Sequence, residues 1–275
     1  MSECNHDCGN CNKDCSVPRH EQPHELSRIK RIIAVVSGKG GVGKSAVTAM
    51  LAVAMHNKGY SCAVLDADIT GASVPKMFGI SGGVNGDGNG IYPAKSSKGM
   101  RVISSNLLLE NETDPVIWRG PVIAGMVKQF YTDVIWGDVD YMFIDCPPGT
   151  GDVPLTVFQS IKVDGIVVVA TPQDLVSMIV EKAVNMAKMM KIPVLGIVEN
   201  MSYVVCPHCG DKINIFSKQD KTGTAKVAEK YSLPLLAEVP YDAKIVNASD
   251  SGKIEDIDAD YLDGAADIIE AGLPA

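Results

Sequence analysis

The string Gly38-Lys39-Gly40-Gly41-Val42-Gly43-Lys44-Ser45 constrains this chain more than any other feature. It fits GxxxxGK[ST], and its flanks supply the context that pattern requires. Before it runs Ile32-Ile33-Ala34-Val35-Val36, an unbroken apolar stretch suited to a strand buried on both faces. After it, residues 45–57 carry Ala, Val and Met at helical spacing, with Gly59 as a stop. Strand, glycine-rich turn and helix in that order make a phosphate loop. Glycines let backbone N–H groups turn inward around phosphate oxygens, and the helix N-terminus adds positive potential. Lys44 is expected to reach the β- and γ-phosphates, and the Ser45 hydroxyl to ligate Mg²⁺.

Short apolar runs recur at 62–65, 141–144, 166–170, 194–198 and 235–239, with helical patterns at 121–135, 174–190 and 222–231. Strands alternating with helices predict a doubly wound α/β fold with a mainly parallel sheet covered on both faces. The globular domain is expected over 29–275, and 1–28 as a flexible, polar, cysteine-rich arm. Residues 82–99, rich in Gly, Asn and Ser, read as a mobile loop or a small surface hairpin. The stretch after Asp250 is acidic, with Lys253 its single base, and reads as a solvated helix face.

Composition narrows the function classes. Of 275 residues, 46% are hydrophobic, enough for a sizeable core, yet no apolar run approaches the roughly 20 residues of a membrane span. Twenty-five basic against 33 acidic side chains give a net charge of −8, and aromatics are only 5%. Neither a broad nucleic-acid surface nor a base-stacking platform is expected. The N-terminus has neither a basic start nor an apolar stretch, so a cytoplasmic location is expected.

Two acidic segments complete the expected site. Asp66-Ala67-Asp68 ends the second strand, where strand ends line the ligand crevice. Asp145 closes the apolar strand Tyr141-Met142-Phe143-Ile144, and a carboxylate so placed can hold Mg²⁺ directly or through water. The turn that follows, Pro147-Pro148-Gly149, can swing a backbone N–H toward a γ-phosphate.

Cysteine is the other informative residue. Cys4, Cys8, Cys11 and Cys15 lie within twelve residues, and Cys206-Pro-His-Cys209 forms a second group. Clustered thiols in a reducing compartment hold metal more often than they form disulfides. The four N-terminal thiols can hold a cluster or zinc without help from the fold, with His6 able to replace one. Cys206 and Cys209 can serve a cluster, a zinc knuckle completed by His208 or distant ligands, or a redox pair. Cys62, in an apolar strand, and Cys146 read as small packed residues.

Lys39, a second lysine directly after the first glycine, resembles the deviant Walker A ATPases: MinD, ParA and the nitrogenase iron protein. More specifically, GKGGVGKS (38–45), DADITGASVP (66–75), WRGP (118–121), DYMFIDCPPGTGD (140–152), VENMS (198–202) with CPHC (206–209), and VPYD (239–242) resemble the Mrp or ApbC-like family of iron–sulfur cluster carrier ATPases. That resemblance implies a homodimer that binds and slowly hydrolyses ATP and passes a [4Fe–4S] cluster from a donor to apoprotein clients. It implies that Lys39 reaches the partner subunit's nucleotide and that Asp68 orients the attacking water, with Asp66 nearby in the first switch. Asp145 and Gly149 then form the second switch, and Asn200 contacts adenine. Cys206 and Cys209 share a cluster with the same pair of a second subunit. The N-terminal spacing matches the family's four-cysteine arms only loosely.

Two rivals remain. A ParA/MinD-type positioning ATPase would need a basic DNA surface or a basic amphipathic membrane helix, and the acidic C-terminal stretch counts against both. A GTP-dependent metal chaperone would read guanine with N/T-K-x-D, from which Ser217-Lys218-Gln219-Asp220 is one substitution away.

Overall fold

A computed structural model describes residues 20–109, 118, 120–216, 222–257 and 260–273, with backbone alone at 174–177. The first strand, β1 (Arg28–Ser37), leads through the glycine loop into α1 (Lys44–Asn57), then β2 (Cys62–Asp66) and the single turn α2 (Val74–Met77). A hairpin of β3 (Asn85–Asp87) and β4 (Gly90–Tyr92) follows, then β5 (Ala94–Lys95) and β6 (Arg101–Ile103). Three helix–strand alternations come next: α3 (Gly120–Thr132), β7 (Asp138–Asp145), α4 (Asp152–Ser160), β8 (Gly165–Ala170), α5 (Asp174–Met189) and β9 (Val194–Glu199). A small hairpin, β10 (Val204–Val205) and β11 (Lys212–Ile213), precedes α6 (Gly223–Tyr231), β12 (Leu235–Glu238), α7 (Ala243–Asp250) and α8 (Asp263–Gly272).

The main sheet runs β12-β9-β8-β1-β7-β2-β6-β5. Every neighbouring pair is parallel except β5 with β6. Parallel neighbours need crossovers, and the helices that make them cover both faces. The two-residue period of the strands divides the core accordingly. Ile32, Ala34 and Val36 of β1, with Met142 and Ile144 of β7, face Val127, Phe130, Val157, Phe158 and Val184 of α3, α4 and α5. Ile33, Val35, Tyr141 and Phe143 face Val47, Leu51 and Met55 of α1 and Ala265 and Ile269 of α8. Each such buried side chain contributes about 1.5–3 kcal/mol, which is why the unbroken apolar runs become the central strands. Both edges are short. β5 has two residues, and the four-residue β12 shifts register against β9 between Leu235 and Ala237.

Two expectations change, and a third, the hairpin at 82–99, is extended. The body starts before residue 29: Glu21 N–H donates to Ser160 O at 2.7 Å, Glu21 pairs with Lys128 at 2.6 Å, and the His24 ring meets Asn89 O at 3.2 Å. Residues 20–28 therefore pack on the domain rather than belonging to an arm, and Arg28 already pairs in β1. The glycine-rich stretch at 82–99 includes a hairpin and, through β5, the antiparallel edge of the main sheet. The acidic C-terminal stretch is solvated at Asp267 but not at Glu255. The Glu255 carboxylate is buried and accepts from Ser96 Oγ at 2.6 Å, Ser97 Oγ at 3.1 Å and Lys98 N at 3.3 Å. It fastens the β5–β6 turn to the C-terminal region. Cys4, Cys8, Cys11, Cys15 and the string at 217–220 lie outside the described residues.

Candidate nucleotide cleft and cysteine hairpin

β1 ends at the centre of the sheet, and its successor loop lies at the carboxyl edge where doubly wound sheets bind ligands. Gly41 and Gly43 hold φ of 77° and 76°, a backbone that side chains other than glycine adopt only at a cost. Gly38 meets a second constraint: a Cβ there would stand 2.1 Å from Ile179 Cγ2, so α5 packs directly on the loop.

The loop places Lys44 and Ser45 against Asp145 at the end of β7. Lys44 Nζ donates to Asp145 Oδ1 at 2.5 Å, Ser45 Oγ donates to Oδ2 at 2.5 Å, and Lys44 Nζ lies 4.0 Å from Asp68 Oδ2. Burial works to lower the Lys44 pKa, but the Asp145 charge and hydrogen bond outweigh it, so the ammonium is held charged. Asp66 is fully buried. Burial first, then the Asp145 charge, pushes its carboxyl up to about 7. Asp68 is also raised, mainly by burial, with Lys44 opposing. The Gly149 N–H donates to Ser37 O at 2.8 Å, which holds the turn after β7 beside the loop's start. Lys39 is half-buried, borders the loop's cavity and donates to Gln173 Oε1 at 2.8 Å.

Two partners here carry no sequence motif. Thr48 Oγ1 lies 2.9 Å from both Asp145 Oδ1 and Lys44 O, and its one proton is shared between these two acceptors. Thr48 stands one helical turn beyond Lys44, and that spacing is the signal that could have found it. Ser104 Oγ donates to Asp66 Oδ2 at 3.0 Å from β6's far end; nothing local points to it.

The space above the loop is a cavity of about 290 Å³ bordered by Lys39 to Ala46, Asp68, Ser73 and Pro148. Past Gly43, Ala46 and Met77 it continues into a second, mainly apolar cavity of about 190 Å³, with Asn200, Met201, Pro240, Tyr241 and Ile245 in its walls. Asn200 Nδ2 donates to Val42 O at 2.9 Å, and a Cβ on Gly43 would stand 2.2 Å from that nitrogen. A charged end beside an apolar end suits a nucleotide: phosphates over the loop, base between Asn200 and Ile245.

Cys206 and Cys209 sit in the turn between β10 and β11. Cys206 N–H donates to Asp211 O and Gly210 N–H to Cys206 O, each at 2.9 Å, with Gly210 at φ 78°. The Cys209 and His208 backbone N–H groups hold the Cys206 thiol below its ordinary pKa, which favours the thiolate that binds metal. Cys209 is exposed, and its Sγ donates to Asp211 Oδ2 at 3.2 Å. Among the described residues, no group of three His, Cys, Asp or Glu side chains could hold a metal ion. The turn therefore offers two thiols and an open side. Val205, Ile213, Ile215 and Phe216 around it are exposed. Cys62 and Cys146 are buried in the core, each pushed up to about 12 mainly by burial.

Fold and loop together define a P-loop nucleotide-binding protein of the doubly wound class. The family model described as NUBPL iron-transfer P-loop NTPase matches residues 28–270, and the chain belongs to that family. It is 45% identical to an iron-sulfur cluster carrier protein of Clostridium perfringens, over 90% of each chain. It is 44% identical to a cytosolic Fe-S cluster assembly factor of Saccharomyces cerevisiae, over 80% of this chain and 77% of that one. Among solved structures, a nucleotide-binding protein of Archaeoglobus fulgidus in complex with ADP superposes with a TM-score of 0.75 at 43% identity, over 85% of this chain and 90% of that one. MinD of Pyrococcus horikoshii, at 21% identity and a TM-score of 0.58, covers 88% of this chain and 96% of its own and shares the fold.

Proposed function

We propose that this chain is an ATP-hydrolysing iron–sulfur cluster carrier of the cytosol, which works as a homodimer and delivers a [4Fe–4S] cluster to apoproteins. The observation that carries this reading is the pairing, in one chain, of a complete phosphate-loop cleft with a two-thiol turn open on one side. Four thiolates suit a four-iron cluster, and two copies related by a two-fold axis supply them. The exposed apolar side chains around the turn suit such a contact. A zinc knuckle within one chain lacks ligands among the described residues, because His208 joins no three-ligand group. The likeness to MinD extends to the fold alone, whereas relatives at 41% to 45% identity bear the carrier name. We assign Cys4, Cys8, Cys11 and Cys15 a second metal or cluster site.

In the cleft, Lys44 moves its charge from Asp145 to the β- and γ-phosphates, and Lys39 adds charge from the partner subunit's loop. The Ser45 hydroxyl and the Asp145 carboxylate are hard oxygen donors already in contact, a pair that fits Mg²⁺. Bound there, Mg²⁺ would neutralise charge on the phosphate oxygens. Asn200 reads adenine, and Gly149 N–H leaves Ser37 O to meet the γ-phosphate. Asp68 orients water for in-line attack and can accept its proton as the new P–O bond forms and the bond to the β-phosphate oxygen breaks.

Asp68→Ala is expected to lower kcat by about 10²–10⁴-fold while ATP affinity, read by calorimetry, stays near that of the parent. Equal losses in both would make Asp68 a structural or Mg²⁺-holding group. The carrier reading itself is tested by reconstituting the protein anaerobically and adding an apoenzyme that needs a [4Fe–4S] cluster. Recovery of the apoenzyme's activity is expected. Tightly held zinc after anaerobic purification, with no recovery, would leave an ATPase with a structural metal.

A further inference from the structure

The excursion that carries Cys206 and Cys209 leaves the sheet and returns to one buried carboxylate. β9 ends at Glu199, which is fully buried. One of its oxygens accepts from Ser202 Oγ and the other from Thr222 Oγ1, each at 2.6 Å. Ser202 opens the excursion, and Thr222 closes it as the N-cap of α6, accepting from Ala225 N–H at 3.1 Å.

Between Glu199 and Ser202 lie two residues of the cleft wall. Asn200 is tied to the phosphate loop through Val42 O. Met201 lines the apolar cavity and holds φ of 56°, a left-handed backbone that costs any residue with a Cβ. Such a conformation persists only where its surroundings hold it. Beyond it the backbone is fixed twice more: Ser202 N–H donates to Val239 O and Tyr241 N–H to Tyr203 O, each at 2.8 Å. Pro240 and Tyr241 belong to the same apolar cavity. Tyr203 leads straight into β10, and β10 into Cys206.

At the phosphate end the loop meets this root through Asn200, whereas among the described residues the γ-phosphate switch turn lies further off. That turn follows β7, which β1 and β8 separate from β9. A ligand moves a neighbouring element only if it favours one of that element's arrangements, and here the apolar end of the cleft touches the root of the cysteine turn.

We propose that the base end of the nucleotide, rather than the γ-phosphate, sets the position of the Cys206–Cys209 turn, with Ser202 as the positioning residue through its bond to Glu199. This rests on the nucleotide reading of the cleft. ATP and ADP then act alike on the cysteines, and a phosphate chain without a base does not act.

The test uses the full chain, reduced and metal-free, and follows alkylation of Cys209 by iodoacetamide with peptide mass spectrometry. ADP and a non-hydrolysable ATP analogue should each change the rate by about fivefold or more. Tripolyphosphate, at a concentration that displaces ADP, should leave it unchanged. Ser202→Ala should remove the ADP effect while ADP still binds, and Ser202→Thr, which keeps the hydroxyl, should restore it. A change seen with the ATP analogue alone, a change with tripolyphosphate, an ADP effect that survives Ser202→Ala, or no change with any ligand would overturn the proposal. The readout needs no iron, so it stands apart from the carrier reading, which cluster transfer decides. ADP binding, measured by calorimetry on the same samples, reports separately on the cleft.

Discussion

Lys44→Ala is expected to reduce ATP turnover by at least about a hundredfold, the scale of losing one preorganised charge in a phosphoryl-transfer site. ATP binding should weaken with it, since no other side chain of the loop brings a buried cation to the β- and γ-phosphates. Lys44 also neutralises Asp145, which is fully buried. Among the described residues, its removal leaves that carboxylate with the Ser45 and Thr48 hydroxyls. Breaking a buried pair from one side costs about 3–5 kcal/mol, so the melting temperature should fall as well. Circular dichroism at a temperature where the variant remains folded separates the two effects. A folded Lys44→Ala protein that hydrolyses ATP at the parent rate would remove the phosphate-loop assignment.

The second large effect is expected at the cysteine turn. In a full-length chain with Cys4, Cys8, Cys11 and Cys15 changed to Ser, anaerobic reconstitution should give about four iron atoms per dimer, one bridging [4Fe–4S] centre. Adding Cys206→Ser or Cys209→Ser should bring iron close to zero. Serine is a poor ligand for a soft cluster, and with one thiol per chain the dimer can supply only two. ATPase activity should persist, because the cleft is built by the segments that follow β1, β2, β7, β9 and β12, and neither cysteine lines it. Stripping iron from the unsubstituted turn should weaken dimerisation in the absence of nucleotide, read by sedimentation. A monomer holding a complete cluster, or a Cys209→Ser protein with undiminished iron, would defeat the shared site.

What sequence could show divides along physical lines. The loop at 38–45, the strand ending in Asp145 and the pair Asp66 and Asp68 were legible because each is a local pattern whose neighbours in the chain are also its neighbours in space. The central strands were legible because burial on both faces leaves an unbroken apolar run. β6 was missed, since three residues cannot display a period. α4 was hidden behind Pro154, which its first turn tolerates. Glu255 looked like one acid among many, and only the serines of a distant turn explain its burial. Thr48 is signalled by its one-turn spacing from Lys44, whereas Ser104 reaches Asp66 and Thr222 reaches Glu199 from separate elements, so those two roles follow from topology. Asn200 came from the family resemblance; its place between loop and apolar cavity came from the fold.

The two short margins of the main sheet bear on how the proposed homodimer could form. β5 exposes two residues, and its turn is held by Glu255; β12 is interrupted by its register shift. Neither gives an incoming strand a long, regular row of free N–H and C=O groups. Growth by strand addition, the route to runaway polymers, is thereby blocked at both ends. The proposed homodimer would then join through loops and helices, where contact depends on what the loops hold. Such a union could be undone when the cargo leaves, the reversibility that a carrier parting from its load requires.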